Sequence, residues 1–312
     1  MKHLLIVLFS LLHFSLAAQT SKVAVRYSSD SSIVGTGLVE KNLPNGLWKF
    51  YTAKTNTLVT EGIFKNGLRD GQWTSYHANG KRKELADYRN GKLFGPARFF
   101  DTNGYLVKEM IFQDSILVGK YSEYYGSEAS DYYIDPSQVK LEGNYQAGKK
   151  EGQWLTYFPE GELSVREFYV GGLREGPYFE FDPEGNVMAE ATAVKGQFEG
   201  VYKTFSLPNV VYQSGTYKNG EKIGEWKSFF PGTKIPESEE YYDASGNRIG
   251  EWTYYYETGR IARKERYENN VAVGVWEEYF PNKEISKRKT YVLGVPEGDY
   301  VENHSSGKLS VQ

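Results

Sequence analysis

Few residues in this chain have the type and spacing to carry chemistry. Apart from His3 and His13 near the start, its histidines are His77 and His304, far apart in sequence. A zinc site or a nucleophile–histidine–acid arrangement needs convergent groups, so each reads as a turn or surface residue. The acidic pairs Glu239-Glu240 and Glu277-Glu278 are adjacent, and on a strand adjacent side chains point to opposite faces. They therefore do not form a ready general acid and base. Lys81-Arg82-Lys83 and Lys287-Arg288-Lys289 sit among Asp and Glu. They read as solvated strand faces, with contact to anionic lipid or polysaccharide as the alternative. The chain has no cysteine, which excludes disulfides, thiolate metal ligands, a Cys nucleophile and a lipidated N-terminal cysteine. It also lacks a Gly-x-Ser-x-Gly elbow, a phosphate loop and an EF-hand loop. A net charge of −3 without a concentrated basic face argues against a nucleic-acid partner. The expectation is a protein with no catalytic residue, no metal ligand and no cofactor, and therefore not an enzyme.

What the chain has instead is a repeating aromatic pattern. All 6 tryptophans stand two residues after a glycine: Trp48, Trp73, Trp154, Trp226, Trp252 and Trp276. Tyrosine fills that slot after Gly119, Gly176, Gly200 and Gly298, and Ala97 fills it after Gly95. Most of these marker glycines are 24 residues apart, as from Gly71 to Gly95 and from Gly250 to Gly274. A fixed period of this size signals a stacked repeat array, so function has to be sought on a repeating surface. Abundant Tyr and Phe (26 and 17) with 33 Gly make this strand-and-turn composition.

The stretch from Gly71 to Phe94 is the type unit. Trp73 is at position three and Tyr76 at position six. An odd separation puts them on opposite faces of a regular strand, or else a bulge realigns one of them. Position seven is often aromatic as well, as at Tyr125, Phe158, Phe230, Tyr256 and Phe280. Asn79-Gly80 and Asn90-Gly91 are hairpin signals, predicting two strands of about five to six residues joined by tight turns. Four residues before the marker glycines stand the structural turn residues Gly67, Gly91, Gly148, Gly172, Gly196, Gly220, Gly246 and Gly294, with Asn42, Asn270 and Ser115 in the remaining slots. Seven residues before them runs an aromatic column that includes Phe64, Tyr88, Tyr145, Tyr217 and Tyr267, with Tyr242 filling the slot displaced by a two-residue insertion. This column is expected to form a ladder of stacked rings. The aromatics serve first as core. The candidate contact surface, where an aromatic face is left open, is assigned to Trp73, Trp154, Trp226, Trp252 and Trp276.

Residues 1–18 read as a secretory signal peptide: Lys2 and His3, then an apolar stretch from Leu4 to Leu16, then Ala17-Ala18. Cleavage is placed between Ala18 and Gln19, with Ala17 as the fallback. Residues 19–45 form an N-terminal segment with an incomplete opening repeat, and 46–312 the array. The interval from Gly119 to Gly152 is longer than the period, and the excess falls near Gly126 to Gln138. It reads as a longer surface turn or as a recognition loop. A smaller excursion spans Pro231 to Pro236, and the final strand near Lys308 to Gln312 reads as an exposed edge.

Gly-x-Trp-x-x-Tyr, then Asn-Gly or Glu-Gly, then aromatic-x-x-Gly resembles the MORN-repeat variant of YwqK-type antitoxin proteins. Gly152 to Leu163 and Tyr217 to Gly224 carry the pattern most closely. The resemblance implies an all-β fold: an elongated array of about eleven 24-residue hairpin repeats in one long twisted antiparallel sheet. It also implies a role in protein–protein or membrane contact, and in the antitoxin members neutralisation of a partner toxin. The signal-like segment departs from a cytoplasmic antitoxin. The expected function is an exported, non-enzymatic scaffold, periplasmic, at the cell surface or extracellular, not a lipoprotein and without a transmembrane helix in the mature chain. Its partner would be a protein such as a toxin, or itself through edge strands. The alternative is a cell-envelope module binding glycan or lipid through the aromatic face.

Overall fold

Aromatic residues and glycine turns at a 24-residue spacing favour antiparallel hairpins, and hairpins are what form. The structure is a computed structural model, and it describes residues 23–26, 32–132, 134–298, 300–303 and 309–311. The segment 1–18, its cleavage point at Ala18 and Gln19, and His304 lie outside the described residues. Strand accounts for 67% of the structure and helix for 3%, so the class is all-β.

The chain divides into two units, the first ending at Gly161 and the second beginning at Glu162. In the first, consecutive strands from Val23–Arg26 to Lys149–Tyr157 pair antiparallel with one another. The second repeats the same meander from Leu163–Val170 onward. There, Leu309–Val311 pairs with Val301–Asn303.

The strands are longer than the expected five to six residues: Leu68–Tyr76 has 9 and Arg82–Arg89 has 8. The reason is the marker glycine, which is not a turn residue. Gly71 lies inside a strand at φ 73°, where Asp70 pairs with Ile63 but Trp73 pairs with Gly62. Gly71 and Gln72 are thus bulged out. Only glycine adopts this left-handed conformation cheaply, and the bulge aims Trp73 at one face.

The true turns come in two kinds. At Asn66-Gly67 both central residues have positive φ, 52° and 79°, which matches the right-handed twist of the flanking strands. Ser115 obeys the same demand at φ 67° without being glycine. At His77 to Lys81 only Gly80 is left-handed, at φ 81°, so Asn79 contributes polarity rather than backbone freedom. The excursion from Pro231 closes as such a turn, with the Phe230 N–H on the Ile235 carbonyl at 3.0 Å. The long interval after Tyr125 is more built than a surface turn. Gly126–Glu128 and Ala129–Tyr132 form short helical turns, and Ala129 is 1% exposed. The Ser127 N–H and hydroxyl both donate to Asp101, at 2.8 and 2.6 Å.

Candidate functional site on the two faces of the repeat

Positions three and six lie on opposite faces: Trp73 covers Gly62, whereas Tyr76 reaches Glu61, the adjacent residue of the same strand. Both faces therefore carry aromatics. On the tryptophan face, rings alternate between position three and the column seven residues before the marker. Phe64 meets Trp73 edge-on at 4.9 Å, and Trp73 meets Tyr88 at 6.3 Å. In the second unit Tyr217–Trp226, Tyr242–Trp252 and Trp252–Tyr267 continue the pattern at 4.9, 5.2 and 5.2 Å. Tyr242 occupies the displaced slot, paired with Gly224. The column does not stack on itself as expected, because its members sit on alternate strands with a tryptophan strand between them. Each edge-to-face pair adds about 0.5–1.5 kcal/mol beyond area burial.

Burial moves most of the expected contact surface off these indoles. Trp73, Trp154, Trp226 and Trp252 are 3%, 1%, 1% and 6% exposed, so no partner can reach them. Trp276 alone of the five is half-buried. Two features cover the others, a glycine beneath three of the four and a cation over all four. Nine residues before the marker, Gly37, Gly62, Gly143 and Gly215 lie beneath Trp48, Trp73, Trp154 and Trp226, where any β-carbon would overlap the indole. Two residues before the marker, Arg69, Lys150, Lys222 and Arg248 place a cation over the ring at 4.2, 4.0, 4.2 and 5.7 Å. The indole N–H is satisfied by a backbone carbonyl, from Trp73 to Ile63 at 3.0 Å and from Trp226 to Thr216 at 3.2 Å. Ala97, which breaks the aromatic rule, is 1% exposed, so it is core as well.

The opposite face holds an aromatic at position six of every repeat from Tyr51 to Tyr279, all half-buried. Acid–base pairs flank this column. Tyr76 donates to Glu61 at 2.6 Å, and Lys49 meets Glu61 at 3.0 Å. Tyr157 donates to Glu142 at 2.9 Å beside Lys120 at 3.0 Å, and Tyr255 donates to Glu239 at 3.1 Å. Burial first, then the hydrogen bond to a carboxylate, pushes Tyr76, Tyr157, Tyr255 and Tyr279 from 10.0 up to about 12. The Tyr76 hydroxyl and the Lys49 ammonium hold Glu61 below its ordinary range. These groups are paired for structure, not poised near neutral pH for proton transfer.

The other sequence candidates stay apart. His77 Nε2 lies 2.8 Å from the Phe100 carbonyl, in the turn where it was expected. Glu239 faces Lys227 and Tyr255, whereas Glu240 faces Tyr242, so the adjacent acids do point oppositely. No group of His, Asp and Glu among the described residues could hold a metal ion. No helix among them is long and apolar enough to cross a membrane.

Residues 69–93 and 248–269 match the family described as MORN repeat variant. Each matched segment begins at a capping arginine, Arg69 or Arg248, and holds a sealed tryptophan, Trp73 or Trp252. No curated protein matches the chain. The match is to the repeat itself and carries no antitoxin assignment. It supports a repeat scaffold for protein or membrane interaction, in a family that is generally non-enzymatic.

Proposed function

We propose that this chain is an exported, non-enzymatic scaffold for protein–protein interaction, with a toxin-neutralising, immunity-like role as its most specific form. The observation that carries the reading is the half-buried aromatic column at position six, flanked by paired Lys and Glu. Aromatic rings next to balanced charges suit a protein surface better than a polyanion, which would require excess positive charge. The apolar stretch from Leu4 to Leu16 followed by Ala17-Ala18 supports export.

The test is cross-linking of the purified chain to proteins of its source cell, followed by affinity measurement with the partner found. The triple substitution Tyr76→Ala, Phe100→Ala and Tyr124→Ala, with its fold checked by circular dichroism, is expected to abolish that binding. A folded variant that binds as well as the parent would sink the reading. Growth rescue against a toxin encoded beside the gene tests the immunity role. An intact Met1 on protein recovered from the cell interior would overturn export.

A further inference from the structure

Trp276 occupies the same repeat position as five sealed tryptophans, yet it is only half-buried. Its neighbours explain why. The position that carries the capping cation elsewhere is Ala272, and no cation stacks on the Trp276 ring among the described residues. Beneath the ring, where Gly62 or Gly215 would sit, is Glu265. Two residues further along its strand is Glu278, where the preceding repeat places Tyr254. The cover present in other repeats is missing on each of these sides.

A cavity of about 270 Å³ opens there, with Trp276, Tyr291 and Tyr300 in its wall. The Trp276 and Tyr291 ring centroids are 4.6 Å apart with their planes tilted by 44°, and Lys289 lies over Tyr291 and Tyr300 at 5.9 and 5.5 Å, so Trp276 supplies the open ring face. The cavity is also lined by three bases, Arg263, Lys287 and Lys289, and three acids, Glu265, Glu277 and Glu278. The charges cancel, which disfavours an ionic ligand. Hydrogen-bonding capacity nevertheless remains. Arg263 Nε is buried 2.9 Å from Glu265, an ion contact without the alignment of a hydrogen bond. Lys289 and Glu278 make no ion pair among the described residues.

From this we infer that the cavity over Trp276 is a binding site for a pyranose ring of a neutral oligosaccharide. A pyranose has one apolar C–H face, which stacks on an aromatic platform, and a rim of hydroxyls that both donate and accept hydrogen bonds. Ammonium, guanidinium and carboxylate groups around a half-buried indole match both features. Trp276 and the position-six column lie on opposite faces, and Glu277 links them, lining the cavity and accepting from the Tyr279 hydroxyl.

Isothermal titration of the full chain with cellohexaose, maltohexaose, laminarihexaose and chitohexaose tests the inference, with choline and anionic phosphatidylglycerol vesicles as controls. Saturable binding of at least one neutral oligosaccharide is expected. Trp276→Ala should weaken it at least about tenfold. Because that variant also removes a ring contact, Ala272→Arg is the second arm. It leaves the indole in place and supplies the cap that Arg248 gives Trp252, and it should weaken binding by a similar factor. Binding of none of the four sugars would overturn the inference. So would binding only of choline or the vesicles, or sugar affinity unchanged in both variants.

Discussion

Trp73 and Trp276 stand at the same position of the same repeat, and one is 3% exposed while the other is half-buried. Both follow a bulged glycine, and both donate their indole N–H to a carbonyl, at 3.0 and 3.2 Å. The difference lies in residues borrowed from flanking strands. Trp73 has Gly62 below and Arg69 above, whereas Trp276 has Glu265 and Ala272. Placement of a ring is therefore a property of the repeat, and exposure is a property of its neighbours. A surface can be opened at one repeat by changing two or three residues without disturbing the hairpin that carries it.

The comparison breaks most sharply if the two tryptophans matter equally. Trp73→Ala should destabilise its unit by about 4 kcal/mol, and Trp276→Ala by under about 2 kcal/mol, in denaturant unfolding. Equal losses would show that Trp276 is core after all. Gly62→Ala should lose about 2 kcal/mol, because its methyl meets the Trp73 indole and the ring cannot retreat into an occupied core. An unchanged melting temperature would discard the idea that glycine seals the ring. Ser115→Gly should change stability by less than about 0.5 kcal/mol, since relief of the φ 67° strain is offset by loss of the Leu93 N–H bond to the Ser115 hydroxyl at 3.0 Å.

The opposite face is tested by pH. Tyr76, Tyr157, Tyr255 and Tyr279 hold their protons to about 12 against an ordinary 10.0. Raised folded-state values mean that their contribution is complete below pH 10.0 and is lost as pH rises towards about 12. Tyrosinate absorbance and circular dichroism should shift together in that window. Ionisation of all tyrosines near 10.0 in a folded chain would contradict the half-buried hydroxyl–carboxylate pairs. An equally small effect belongs to the solvent-accessible pair Lys49–Glu61 at 3.0 Å, whose side chains are 42% and 24% exposed, where Lys49→Met should change stability by less than about 0.5 kcal/mol.

Much of this architecture was legible residue by residue. The period, the aromatic column through Phe64 and Tyr88, and the left-handed demand at Gly67 or Ser115 all follow from local rules of turn and strand. A bulge and a turn both call for glycine, so spacing alone does not show that Gly71 sits inside a strand. The pairing of Gly62 with Trp73 was missed for the same reason. Its register holds only once Gly71 and Gln72 are known to be looped out.

The sequence by itself determined an all-β repeat of hairpins and its turn positions, since these depend on contacts a few residues apart, and left open whether Trp73 and Tyr76 share a face. Only the tertiary structure decided which aromatic rings are sealed. That depends on what the flanking strands set beneath and above each ring, glycine and cation at Trp73, glutamate and alanine at Trp276.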